Sequence, residues 1–337
     1  MVALAPPGEE TLIHSRRTLF WLLTPAVALL LLTTTYPLVY ALANSFRYWV
    51  LSRPGQERWV GFENYTRAFG DSDFLNSLLV SVNYTALAVV FAVSLGLGIA
   101  LLLQKASRLH TFVKVLLIFP FAVSPALKGF SFRFMLDSHS GVFDAIADVI
   151  VRSVGWVLTL GGLVHYPAFQ IGGLEAGRLT LLPALKFPVT ADTIWLADGF
   201  WALFWMAMSE VWGWAPLFAL MFLGALGSID TDIFNAARID GATSGRIFWH
   251  ITLPLLRPVI LIVTLLKIIS SLRMFDQVVT MTGGGPGRAT ETINHLIYQV
   301  GFGRGLDMGY ASAMAYILVV ALSLFAFLYV RVLFRRA

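Results

Sequence analysis

The sequence predicts an all-α polytopic membrane protein with about six transmembrane helices, and three observations carry that reading. Apolar runs of about twenty residues or more recur along the chain. Charge is scarce: of 337 residues 58% are hydrophobic and 13% charged, where a soluble domain of this size carries about a quarter charged residues. The lysines and arginines collect at the ends of apolar runs, not on one polar face. The formal charge of +5 therefore reads as a topology signal and not as a nucleic-acid surface. The absence of cysteine excludes disulfides, thiolate chemistry and Cys-type zinc sites, and leaves the redox compartment unread.

The first run, Leu19 to Phe46, follows Arg16 and Arg17. HSRRTLF and the small residues Ala41 to Ala43 resemble a twin-arginine export signal. The run, however, exceeds the roughly 7–15 residues of a cleaved signal core and is long enough to span a bilayer. The second run is Leu78 to Leu103. The third, Val113 to Leu136, contains Pro120 and Pro125. The fourth is Leu196 to Leu226, the fifth Pro258 to Thr282 and the sixth Gly309 to Val330. This divides the chain into an N-terminal tail (1–18), three spans (19–136), an insertion (137–195), three further spans (196–330) with a loop at 227–257, and a C-terminal tail (331–337).

Basic residues set the orientation. Arg16 and Arg17, then Lys105, Arg108 and Lys114, then Arg238, Arg246 and Arg257, then Arg331, Arg335 and Arg336 all fall on one side if every span is crossed. Both termini and the 227–257 loop are thus expected in the cytoplasm. On the other side, VGFENYTRAF within residues 47–77 is expected at the membrane interface. In the insertion, Asp144, Asp148 and Arg152 recur every fourth residue, which reads as an interfacial helix and not a seventh span.

The most informative segment is polar: NAARIDGATSGRIFWHITLPLLRP, residues 235–258. Asp230 or Asp232 can cap a short helix here. Ala236, Ala237, Gly241 and Ala242 remove bulk from its surface, and Asp240 with Gly241 ends or kinks it. Pro258 suits the first turn of the next helix. Connections in helical bundles usually run two to eight residues. A long, capped, small-residue helix between two spans is better read as a docking surface.

The same segment resembles the EAA loop of permease subunits in binding-protein-dependent ABC importers, through Ala236, Ala237, Asp240, Gly241, Ala242, Ile251, Leu253 and Pro254. Asn235 stands where the family has glutamate. MTGGGPGRATETI (Met281 to Ile293), FPFAVSPALKGFSFRFML and GYASAMAYILVVAL resemble the carbohydrate-uptake branch, so the likeness covers about residues 15 to 335. It implies a type I ABC importer permease fold whose cytoplasmic coupling helix enters a cleft on an ATPase subunit. The implied coupling residues are Asn235, Ala236, Ala237, Arg238, Asp240, Gly241, Ala242, Gly245, Leu253 and Pro254. The implied partners are a second permease (a heterodimer), an ATPase dimer carrying ATP and Mg, and an extracytoplasmic solute-binding protein, all at the bacterial inner membrane. This chain itself has no G-x-x-x-x-G-K-[ST] and is expected to hold no cofactor and no metal.

Ionisable residues within spans usually face a pathway or a partner. Glu210 lies inside the fourth span; Lys267, Arg273 and Asp276 lie in the fifth, the last two at i, i+3 and able to pair. For Lys267, Arg273 and Asp276, structural pairing within the permease pair competes with substrate contact. Lys128, beyond Pro125, either snorkels to the outer interface, the favoured reading, or meets an anionic group on the substrate. Trp212 and Trp214 flank Glu210 but point in different directions on a helix. Asn83 and Tyr84 complete the candidate path, and Trp201 and Trp205 are expected in the interfacial aromatic belt. Two other classes compete. A self-sufficient secondary transporter would show inverted repeats and broken midplane helices. An intramembrane enzyme would show H-E-x-x-H or G-x-S-x-G. The expected function is a non-enzymatic permease for a saccharide or sugar derivative.

Overall fold

A computed structural model describes residues 16–104, 108–137, 141–142 and 195–333. Asp144, Asp148 and Arg152, with nearly all of the insertion, lie outside the described residues, as do Lys105, Arg335 and Arg336. Five helices are long and apolar enough to cross a membrane, and a bent pair makes a sixth. The described chain forms two compact units, one from residues up to 70 with 297–318, the other from 71–296 with 319 onward.

In the first unit, helix Arg16–Leu30 continues through a wide turn, Leu31–Thr35, into Tyr36–Ser45. None of the most apolar part of this span is buried, so its surface is left for lipid or another subunit. Beyond it, Arg47–Tyr48 and Arg58–Trp59 form a two-residue antiparallel ladder, a small exception to the all-α expectation. The helix Glu63–Gly70 packs on the ladder's root. There Asn64 is buried and its amide donates to the Ser45 and Arg47 carbonyls, both at 2.9 Å. Phe46 stacks on Trp59 and meets Phe62 edge-on, while Arg67 bonds Asp307 at 2.9 Å. The sixth span, Met308–Leu333, begins in this unit.

The second unit is built on the second span, Ser72–Leu102, packed along the fourth, Gly199–Gly227. One core cluster centres on Tyr84, Met206 and Val278, another on Ala92, Phe218 and Leu256. Both long helices start on an aspartate whose carboxylate accepts from first-turn amides. Asp71 bonds Asp73 N, and Asp198 bonds the amides of Phe200 and Trp201 at 3.0 Å. Asp198→Ala should cost about 1 kcal/mol, seen as a small drop in thermal stability in detergent.

The third span is broken. Phe112–Ala122 and Pro125–Met135 meet at 97°. Proline pushes the residue before it out of the helical region, and Ser124 is extended at ψ 147°, its hydroxyl capping Leu127 N. The fifth span also departs from expectation. It starts well before Pro258: the helix runs from Ser244 to Leu272, with Pro254 in the first turn of its longest regular stretch and Pro258 inside it. A wide turn at Phe248–Thr252 lets the helix pass Pro254. It ends at Leu272 and not at Thr282, so Arg273 and Asp276 sit on either side of a break. Both are exposed and do not pair with each other.

Candidate functional site

Two places in the second unit bring the candidate residues together. The first is the loop between the fourth and fifth spans. Asp230 caps the helix Thr231–Ile239, its carboxylate accepting from Asp232 N at 2.9 Å. The other end closes with two bonds that wrap the last carbonyls. Gly241 N bonds Arg238 O at 3.1 Å and Ala242 N bonds Ala237 O at 2.9 Å. This is the geometry that needs a left-handed residue after the cap, and Gly241 supplies it at φ +78°. Thr243 then caps the next helix through Arg246 N. Both helix ends are thus fixed by their own sequence.

The helix between those caps buries none of its residues. Ile239 is 86% exposed and Trp249, beyond it, 64%. Asn235, Ala236, Arg238, Asp240, Gly241, Gly245 and Pro254 are exposed, while Ala237, Ala242 and Leu253 are half-buried. A Cβ added at Gly241 or Gly245 would meet nothing within 4 Å. Asn235 accepts a hydrogen bond from Arg238 at 3.3 Å, so the amide serves the arginine one turn along. A rigid, unpartnered helix with a small-residue surface is a ready docking element.

The second place is a buried polar cluster. Lys267 pairs with Glu210, and its ammonium lies 5.2 Å from the centroid of the Trp214 ring. Trp214 also meets Phe121 edge-on, linking the fourth span to the broken third. The sequence leaves Lys267 between pairing within the permease pair and substrate contact; here it pairs with a carboxylate of its own chain. Lys128 is 4% exposed, so it does not snorkel. Its side chain turns inward because Gly213 leaves room for it: an added Cβ there would lie 2.7 Å from the Lys128 ammonium.

Tyr84 is fully buried and its hydroxyl reaches Gln277 at 3.5 Å. Asn83, beside it in sequence, is exposed and does not join the cluster. Trp212 is 40% exposed and rests on Phe132, away from Trp214. Trp201 and Trp205 are half-buried and both pack edge-on against Trp195. Gln277, which no sequence signal singled out, is fully buried with its amide nitrogen unbonded. A polar residue two positions past a break is ordinary in sequence; only the fold shows it facing inward. The glycine turn after it, at Gly283, Gly284 and Gly287, takes positive φ, leading to the buried Glu291–His295 pair.

A broken third span and the fourth and fifth spans meeting at a buried ion pair, with a capped helix displayed between the last two, are features of a membrane transport subunit. The chain belongs to the family of binding-protein-dependent transport system inner membrane components, matched over residues 92–337. It is 32% identical to the sulfoquinovosyl glycerol transport system permease protein of Agrobacterium fabrum, over 90% of this chain and 85% of that one. It is 30% identical to a probable ABC transporter permease protein of Sinorhizobium fredii, over 94% and 91%. Its fold is that of a chain in the crystal structure of a bacterial ABC transporter involved in the import of the acidic polysaccharide alginate. That match has a TM-score of 0.70 at 18% identity and covers 95% of this chain and 96% of the other. The protein is a multi-pass inner-membrane permease subunit of a transport system.

Proposed function

We propose that this permease forms one half of the translocation path for a saccharide or sugar derivative, moved inward by ATP hydrolysis on separate subunits. The relatives named for sulfoquinovosyl glycerol and for alginate import support the solute class. The observation that carries the coupling is the helix Thr231–Ile239, capped at both ends and buried nowhere. In this reading it sits in the cytoplasm, as do both termini, and enters a cleft on one subunit of an ATPase dimer that holds ATP and Mg. A second, non-identical permease completes the path, and an extracytoplasmic binding protein delivers the solute. ATP-driven closure moves the docked helix, and the continuous helix from Ser244 to Leu272 carries the motion into the membrane.

Gly241→Trp tests this. Any side chain at φ +78° is strained by about 1–2 kcal/mol, and an indole there projects into open space where the ATPase would dock. In detergent extracts of the native host, the tagged chain should bring down an ATPase subunit. The variant should retain roughly a tenth of it or less while reaching the membrane normally. A chain that purifies alone and still transports would make it a secondary transporter.

A further inference from the structure

The Lys267–Glu210 pair leaves one buried cation over. Lys128 is 4% exposed, Lys267 0% and Glu210 2%. Among the described residues no carboxylate lies within ion-pair distance of Lys128. Its ammonium lies against Gly213, one turn along the fourth span from Glu210, and close enough to Lys267 for the two charges to repel. Among the described residues the cluster thus holds two cations and one anion.

Three features lie on the elements that carry this cluster. Lys128 sits in the first turn of the helix Pro125–Met135, where the aligned peptide dipoles add positive potential. The amide nitrogen of Gln277 and the hydroxyl of Ser271 are buried without hydrogen-bond partners. Gln277 backs onto Gly129, next to Lys128, where an added Cβ would lie 3.4 Å from its Cα. Ser271 is one turn from Lys267 in the fifth span. A buried charge without a counter-charge is expensive inside a membrane and marks a functional position. Buried donors without a bond are costly as well.

We propose that Lys128, with Gln277 on the segment packed against Gly129 and Ser271 one turn from Lys267, receives an anionic group of the translocated solute: a carboxylate, sulfonate or phosphate oxyanion. The solute is then an acidic sugar derivative, and its charge is balanced at this step by the cation that Glu210 leaves unpaired. The inference rests on the importer reading above.

The chain has no cysteine, so Ser271→Cys introduces a single thiol into it. That thiol replaces a hydroxyl that has no bond to lose. In vesicles holding the assembled complex with ATP, this chain would be labelled with an anionic (sulfonatoethyl) and a cationic (trimethylammonioethyl) methanethiosulfonate. Each rate is normalised to that of a free thiol. The anionic reagent should react roughly tenfold faster. That preference should persist in Lys128→Arg and vanish in Lys128→Met or, if that variant is poorly made, in Lys128→Gln. Equal rates, no reaction with either reagent during turnover, or a preference that survives loss of Lys128 would overturn the proposal. Absence of the ATPase from the purified complex would instead strike the importer reading, and is checked on the same preparation.

Discussion

Glu210→Gln should be the most damaging single substitution among the charged residues of the spans. It leaves Lys267 and Lys128 buried together with no anion between them, since Glu210 is the partner of Lys267. Removing one side of a buried pair typically costs about 3–5 kcal/mol, because the partner stays desolvated and uncompensated. Lys267→Met should be milder, as it removes one of the two buried cations and leaves one cation and one anion in the cluster. The double variant, Glu210→Gln with Lys267→Met, should recover most of the loss, because replacing both members of a buried pair is often close to neutral. Thermal unfolding of the purified protein in detergent reads this order directly. A Glu210→Gln protein as stable as the parent, or a double variant worse than either single, would show that the pair does not hold the fourth and fifth spans together.

Much of this architecture is legible in the sequence because membranes constrain it so tightly. The helices of spans four and six end within three residues of the expected bounds, while that of span two starts six residues earlier, at Ser72; a hydrocarbon core demands about twenty apolar residues. The exposed helix Thr231–Ile239 is legible for a different reason: its caps are local. Asp230 and Gly241 act on amides and carbonyls a few residues away, so no tertiary information is needed to find them.

Where sequence reasoning misplaced a residue, the deciding group lies on another helix or in the backbone. Lys128 reads as a snorkelling lysine at the end of a span, and only Gly213 on the fourth span makes the inward route open. Arg273 and Asp276 have the spacing of a helical pair, but the helix stops at Leu272. Pro258 looks like a helix start, yet the chain has already been helical since Ser244, through a wide turn that proline tolerates. The pairing of Glu210 with Lys267 was the most accessible miss. Two opposite charges in different spans of a chain this poor in charge are natural partners.

Packing of the second span on the fourth gives the other large expected effect. Ala88, Ala92, Gly96 and Ala100 recur every four residues and all are buried, a small-residue face of the kind that lets two membrane helices approach closely. At Gly96 the approach is closest: an added Cβ would lie 2.8 Å from the Phe218 Cβ and 3.0 Å from the Ala215 carbonyl oxygen. These are helix-core atoms that cannot swing aside. Gly96→Leu should therefore force the helices apart and cost about 3 kcal/mol, at the upper end of what overpacking usually costs. Gly96→Ala should cost less. Gly98 is the internal comparison. It lies two residues on, faces away from the contact, and an added Cβ there meets nothing within 4 Å. Gly98→Leu should therefore leave thermal stability and membrane levels nearly unchanged, since leucine only adds apolar surface to an apolar face. Equal losses at both positions would mean that helix propensity or insertion, not the 96–215–218 contact, governs the response. A loss confined to Gly96 would place the helix contact itself as the structural requirement.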